Sequence, residues 1–270
     1  MPLTPLQLQI ARLLSANRSP DSYLAGGAAL HFSPNSKRYS NDLDYFHDSV
    51  ERVASAFQSD KAALEAGGFE IALEMNQPGY LRALVSLGSD RTKIEWAHDS
   101  AWRFMPTVHN PDAGYQLHPI DLAVNKALAL AGRDEARDYV DILHIDRSIL
   151  ALGPLCWAAA GKDPGFSPRS LLELLKRRGR HRPEDFAGLM VTEVIDVQGM
   201  KGAWLRMLDE AEAFIRNAPP NQTGCLYYSP SAGRFVDPQR EPHTDDAVPH
   251  YGRPGGVLPE FYPGEPLSGG

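Results

Sequence analysis

Asp42 and Asp44 stand either side of a single leucine in the segment Asn41-Asp42-Leu43-Asp44-Tyr45-Phe46, and a Gly26-Gly27 pair opens a short apolar run upstream of them. On a strand, residues i and i+2 share one face, which sets the two carboxylates about 6.6 Å apart along the chain while Leu43 and Tyr45 turn the other way into packing. Two hard carboxylates on one rigid edge suit Mg²⁺, which prefers oxygen ligands and keeps positions open for substrate phosphates. The glycines let the backbone turn sharply and approach a ligand, and a helix starting there would aim free N–H groups at phosphates. Together these are parts for holding a nucleoside triphosphate and its metals. Between them runs a polar, basic loop from Ser33 to Asn41 with Lys37, Arg38 and Ser40. Arg38 there could clamp phosphate oxygens bidentately and neutralise charge developing on a leaving pyrophosphate. The plain alternative is a solvated basic loop.

A two-metal site needs a third carboxylate on a neighbouring strand. Glu95 is the first candidate, because Ile94 and Trp96 flank it and its side chain must alternate away from theirs; Asp99 is the reserve. In this role Glu95 or Asp42 accepts the attacking hydroxyl's proton. A lone acidic residue in a strand can equally be solvent-facing. Further along, Lys126, Arg133, Arg137 and Asp141 recur at spacings of seven, four and four, which places them near one stripe if the helix is uninterrupted at Gly132. Such a row could contact the triphosphate or the acceptor; the alternative is a set of surface pairs such as Arg137 with Asp141, worth about 0.3–0.5 kcal/mol each. The run from Lys176 through Arg177, Arg178, Arg180, His181 and Arg182 ends a leucine-rich helix, where the dipole stabilises cations in any case. It could also contact an RNA backbone.

The elements that must position these groups follow from pattern. Thr4-Pro5 starts an amphipathic helix with Leu6, Ile10, Leu13 and Leu14 on one face. Tyr23 to Ala25 reads as a strand, Gly27 to Phe32 as a helical turn and Asp42 to Phe46 as a strand; Ser49 caps a helix from about Val50 to Glu65. Phe69 to Met75, Tyr80 to Leu87 and Thr92 to Ala97 are three strand candidates, the last two joined by a hairpin-like turn at Gly88-Ser89-Asp90. From His118 the chain turns helical, with helices from Pro119, from Asp134 to Ile149, from Pro168 and from Lys201 to Asn217. Ten of the 22 prolines fall between Pro219 and Pro266, a density that argues against a packed core, with one small hairpin at Cys225 to Tyr228 and Arg234 to Val236. The expected organisation is an α/β (α+β) mixed sheet with flanking helices over 1–117, a helical region over 118–218 completing the cleft, and a Pro/Gly-rich tail over 219–270.

Composition narrows the field. With 270 residues and 43% hydrophobic content the chain can bury a core, and a net charge of −7 leaves no basic footprint over the whole protein, so any nucleic-acid contact must be local. No apolar run approaches a membrane span and the N-terminus has no signal-peptide pattern, so the expected compartment is the cytoplasm, without a membrane partner. Cys156 and Cys225 lack ligand spacing and read as reduced thiols.

With these residues assembled, the chain resembles the nucleotidyltransferases of the AbiEii/AbiGii toxin family, a branch of the DNA polymerase β-like superfamily. The superfamily's Gly-Gly or Gly-Ser turn, Asp-x-Asp strand and later acidic residue correspond to Gly26-Gly27, to Asp42-Leu43-Asp44 and to Glu95 in Lys93-Ile94-Glu95-Trp96. The branch adds an arginine and a small hydroxyl residue, matching Arg38 and Ser40. It also has a helical lysine and an Arg-Asp-x-x-Asp segment, matching Lys126 and Arg137-Asp138-Tyr139-Val140-Asp141. The likeness covers roughly Leu6 to Leu150. It implies the nucleotidyltransferase fold and a Mg²⁺-dependent transfer of NMP from an NTP to an acceptor hydroxyl, with two ions on Asp42, Asp44 and Glu95. It further implies catalytic parts for Lys126 and Asp141 and nucleotide contacts from Gly26, Gly27, Arg38, Ser40 and Arg137. In toxin members the acceptor is RNA, often the tRNA 3′ end, and an antitoxin neutralises the activity. Competing readings are transfer to a protein or small molecule, a catalytically silent nucleotide-binding partner, and an Asp-x-Asp phosphohydrolase. The last is disfavoured because Lys37 to Asn41 is too polar for the buried strand that should precede its nucleophile.

Overall fold

The computed structural model describes residues 3–32, 36, 38–192 and 195–262. Lys37, the start of its loop at Ser33, and the tail beyond Tyr262 lie outside the described residues. The chain divides into two compact units: residues 1–122, 181–197 and 253–256 form one, and residues 123–180, 198–252 and 257–270 the other.

In the first unit, α1 (Pro5–Leu14) is opened by a capping box in which Thr4 accepts from the Gln7 amide while the Gln7 side chain accepts from the Thr4 N–H. Its inner face buries Leu6, Gln7, Ile10, Ala11 and Leu14. Strand β1 (Ser22–Ala25), the one-turn helix α2 (Gly26–Leu30) and β2 (Asp42–His47) follow. Next comes α3 (Val50–Ala66), whose first turn is capped by Ser49. Strands β3 (Glu70–Gln77), β4 (Tyr80–Leu87) and β5 (Asp90–His98) form a meander through two-residue turns at Pro78-Gly79 and Gly88-Ser89, where both glycines take positive φ. Short strands β6 (Trp102–Arg103), β7 (Val108–Asn110) and β8 (Gly114–Gln116) complete this stretch.

Seven strands make one mixed sheet in the order β3-β4-β5-β2-β1-β8-β7, with β2 parallel to β5, β1 parallel to β8 and the other pairs antiparallel. Alternation is clean on the central strands. Leu43, Tyr45 and His47 of β2, Thr92, Ile94 and Trp96 of β5, and Leu81, Ala83 and Val85 of β4 are buried, while the residues between them are not. Helices α1 and α3 cover that buried face, Phe57 of α3 meeting Trp96 edge-on at 5.1 Å. Leu43 and Ile94, both at 0% exposure, each contribute about 1.5–3 kcal/mol to folding.

The second unit begins within α4 (Pro119–Gly132) and contains α5 (Ala136–Ser148), α6 (Leu152–Lys162), α7 (Pro168–Arg177) and α8 (Val197–Asn217). Helix α6, rich in Ala and Gly, was not anticipated from the sequence pattern. The expectation of a tail without a packed core is corrected as far as Tyr262: β9 (Cys225–Ser229), β10 (Arg234–Phe235) and β11 (Val248–Tyr251) form a three-stranded antiparallel sheet. Cys225, Tyr227 and Val236 are buried with Trp157 and Phe214. The prolines here sit largely at turns and strand ends, where no ladder hydrogen bond is lost, so their density does not prevent packing. Strand β12 (Arg253–Pro254) pairs with β6 in the first unit. No single helix among the described residues is long and apolar enough to cross a membrane.

Candidate active site

Parallel pairing of β2 with β5 sets Asp44 directly opposite Glu95 and Asp42 opposite Lys93. Paired residues project to the same side of a sheet, so Asp42, Asp44 and Glu95 share the face that α1 and α3 do not cover, and all three are partly exposed. On the far side of Glu95, β4 contributes Arg82 directly across the ladder. Arg82 forms an ion pair with Glu74 at 3.1 Å. Tyr80 also faces Glu95: burial first, then the hydrogen bond to that carboxylate and its charge, push the phenol up to about 12, so it remains a neutral donor. Asp99 lies past the end of β5, where its amide bonds the His47 carbonyl, at the opposite end of β2 from Asp42. The structure therefore groups Glu95, and not the reserve residue, with the aspartates.

The back of these strands is held by a buried polar network. Asp60 of α3 accepts from the Trp96 indole at 2.7 Å and from Asn17 at 2.9 Å, and is ion-paired with the fully buried Arg18, which lies 4.5 Å over the Tyr45 ring. Tyr45 and Trp96 immediately follow Asp44 and Glu95, so fixing their rings fixes the backbone that carries the carboxylates.

The glycine turn sits against the same carboxylates. Gly26 adopts φ +59°, and a Cβ there would collide with the Asp44 carboxylate; glycine is required by both conformation and space. A Cβ on Gly27 would stand 2.8 Å from Arg38 Nη2 and 3.0 Å from Ser40 Oγ. Arg38 and Ser40, exposed only 3% and 1%, thus roof the turn, and the loop is not the solvated alternative at these two positions. Arg38 Nη1 donates to the Tyr39 carbonyl at 2.9 Å, and Ser40 Oγ donates to Asp42 Oδ1 at 3.2 Å. The loop is tied down by a bridge between Arg38 and Val191 and by the Tyr39 amide bonding the Met190 carbonyl. Gln7 secures it from α1, donating to the Ser40 carbonyl at 3.1 Å and to Thr92 Oγ1 at 3.2 Å. Sequence reasoning missed Gln7, although its Thr-x-x-Gln spacing marks a capping box.

Lys126, Arg137 and Asp141 lie in the second unit. The helix is interrupted between Gly132 and Ala136, which corrects the single stripe expected for Lys126, Arg133, Arg137 and Asp141. Chain reversal at the break brings Lys126 Nζ within 2.9 Å of both Asp138 Oδ1 and Asp141 Oδ2, and Arg133 Nε within 2.8 Å of Asp138 Oδ2. Both aspartate side chains are 0% exposed, so the surface-pair alternative is also corrected for Asp141. Burial opposes the Lys126 charge, yet Asp141 and Asp138 outweigh it and hold its pKa above the ordinary value. For Asp138 burial is likewise overcome, by Lys126 and Arg133, and its pKa is lowered. Asp138 is the member of this group that the candidate set omitted. Arg137 is half-buried on α5.

Among the described residues, no three His, Cys, Asp or Glu side chains converge as a ready-made metal cage. Mg²⁺ does not need one: it is commonly held by one or two carboxylates with water and substrate phosphates completing the shell. The hard oxygen donors of Asp42 and Asp44, with Glu95 in register, fit that mode. In the basic run, Lys176 is paired with Glu173 and Glu212 at 2.9 and 2.8 Å, and Arg178 lies 3.8 Å from Asp134.

No family model matches this chain, and no curated protein matches it significantly. Solved structures similar to it include a proposed nucleotidyltransferase from H. pylori, 15% identical over 78% of this chain and 94% of that one, with a TM-score of 0.49. JHP933 from Helicobacter pylori is 15% identical over 78% and 91%, with a TM-score of 0.48. The nucleotidyltransferase toxin MenT4 from Mycobacterium tuberculosis H37Rv is 18% identical over 80% and 83%, also at 0.48. At such identities and scores, the chemistry must be read from this chain's own residues.

Proposed function

We propose that this protein is a Mg²⁺-dependent nucleotidyltransferase that moves NMP from an NTP to an acceptor hydroxyl. One observation carries the reading: Asp44 lies between Gly26, where its carboxylate leaves no room for a Cβ, and Glu95 in register on the next strand, with Asp42 on the same face. Mg²⁺ held by Asp42, Asp44 and Glu95 would supply Lewis-acid polarisation and charge neutralisation at the phosphates. The chain's own residues do the rest. The Gly26-Gly27 turn lets the triphosphate approach the backbone closely, and Arg38, fixed above it, supplies positive charge toward the departing pyrophosphate. The acceptor oxygen attacks the α-phosphorus in line, the bond from that phosphorus to the bridging oxygen of pyrophosphate breaks, and Glu95 or Asp42 takes the acceptor's proton. Ser40, donating to Asp42, holds that carboxylate in orientation.

The motif resemblance to the AbiEii/AbiGii toxins extends the proposal to RNA as acceptor, with the tRNA 3′ end foremost, and to a cytoplasmic toxin held in check by a cognate antitoxin. The same resemblance points to Lys126, Arg137 and Asp141, of which Lys126 and Asp141 are closed on each other in a buried ion pair and so act on the fold of the second unit rather than on the substrate. The test is incubation with Mg²⁺, each radiolabelled NTP in turn and total bacterial RNA, beside the Asp42→Ala/Asp44→Ala double variant. Label entering RNA with the wild-type chain alone is the expected result and names the base. Label on the protein would make a side chain the acceptor, and binding of NTP without transfer to any acceptor would favour a silent binding protein.

A further inference from the structure

The polar atoms of Gln7 do two jobs, and only one of them concerns α1. Its Oε1 accepts from the Thr4 N–H at 2.9 Å, the ordinary duty of a residue closing a capping box. Its Nε2 turns the other way, donating to the Ser40 carbonyl and to Thr92 Oγ1. These bonds join α1 to the loop before the aspartates and to the start of β5, the strand that carries Glu95. Ser40 passes the restraint on, since its hydroxyl donates to Asp42 Oδ1 at 3.2 Å. Gln7, Ser40 and Thr92 are exposed only 2%, 1% and 6%, so water is a poor substitute for any of these contacts. Residue type matters here. Glutamate would serve the capping box equally well, but would aim an acceptor oxygen at the Ser40 carbonyl. Glutamine satisfies both sides.

We propose that Gln7 is a positioning residue for the Asp42 carboxylate, setting metal affinity and turnover through Ser40; this rests on the nucleotidyltransferase reading for turnover, and on Asp42 as a metal ligand for affinity. The test compares Gln7→Met, close in size and without the amide, with Thr4→Ala, which removes the cap and leaves the Nε2 bonds. Mn²⁺ binding is followed by electron paramagnetic resonance in the presence of non-hydrolysable NTP analogues. It is read beside kcat, KM for the NTP and the thermal midpoint.

Loss of a residue that orients a metal-binding carboxylate typically costs about 10–100-fold in affinity or activity. Gln7→Met should weaken Mn²⁺ and lower kcat within that range, with KM changed far less. Thr4→Ala should lower the thermal midpoint and leave Mn²⁺ affinity and kcat near wild type. If Gln7→Met does not fold, Gln7→Glu keeps the cap, loses the donor and carries the same expectation. Equal Mn²⁺ affinity in Gln7→Met and wild type overturns the proposal, and absence of Mn²⁺ binding by the wild-type chain overturns it together with the metal assignment. Weakened Mn²⁺ in the variant with no nucleotidyl transfer by the wild type would keep the positioning role and remove the enzymatic reading.

Discussion

Two groups of carboxylates in this protein look alike on paper and differ in how far each is buried. Asp42 and Asp44, with Glu95, lie on the adjacent interior strands β2 and β5 of the first unit, partly exposed on the face that α1 and α3 leave uncovered. Asp138 and Asp141 lie on a helix of the second unit, fully buried and ion-paired to a lysine that is itself 7% exposed. The first arrangement keeps anionic oxygens where a cation and phosphates can reach them. The second closes its charges on one another, because a buried carboxylate without a counter-charge would cost several kcal/mol. Burial is what separates the two sets: the first stays open to solvent, and the second is closed off with its counter-charge.

The sharpest test of that contrast is turnover. Asp44→Asn should cut kcat on the order of a thousandfold, the equivalent of several kcal/mol of transition-state stabilisation, and leave the fold intact by circular dichroism. Activity near wild type in a folded variant would break the assignment of the first group. Lys126→Met should act on stability, because it removes the ammonium with which both buried aspartates are paired. A loss of about 3–5 kcal/mol is expected in urea unfolding, where Asp44→Asn should barely move the midpoint. Equal midpoints for the two variants would erase the distinction.

The smallest effect is in pH. Asp138 has a lowered folded-state pKa, so the folded chain binds fewer protons than the unfolded one, and its contribution to stability is present above the ordinary carboxylate value of 3.8 and lost as pH falls through the folded value. Lys126, raised above 10.5, contributes below that value and loses its contribution as pH rises past the folded one. The stability gap between wild type and Asp138→Asn should therefore be widest above about pH 5 and close on acidification through Asp138's own titration. A gap unchanged down to pH 2 would mean that the ion pair does not stabilise the fold.

Much of the first unit could be read in advance because its signals are short-range. Thr4-Pro5 and Ser49 mark helix starts by local capping, Gly88 marks a tight turn, and β2 and β5 announce their inner faces by alternation. Helix α6 was missed because Ala and Gly leave little periodic contrast when a helix is buried nearly all round. The packed sheet of the tail was missed because proline density describes composition, whereas packing depends on where each proline falls. In the basic run, Lys176 meets Glu212 and Arg178 meets Asp134, partners too distant in sequence for a local pattern to show.

By itself the sequence marked Gly26-Gly27 as a place where the backbone can turn sharply, and it determined what strand geometry enforces, that two carboxylates at i and i+2 share a face. Only the tertiary structure decided which acidic residue stands beside them, because the β2–β5 register is set by the crossover through α3, β3 and β4 and by the core those elements share. It also decided that Gln7 reaches Ser40, and that Lys126 meets Asp138 and Asp141 across a helix break. Such contacts between segments far apart in sequence depend on how whole elements pack, which no local pattern encodes.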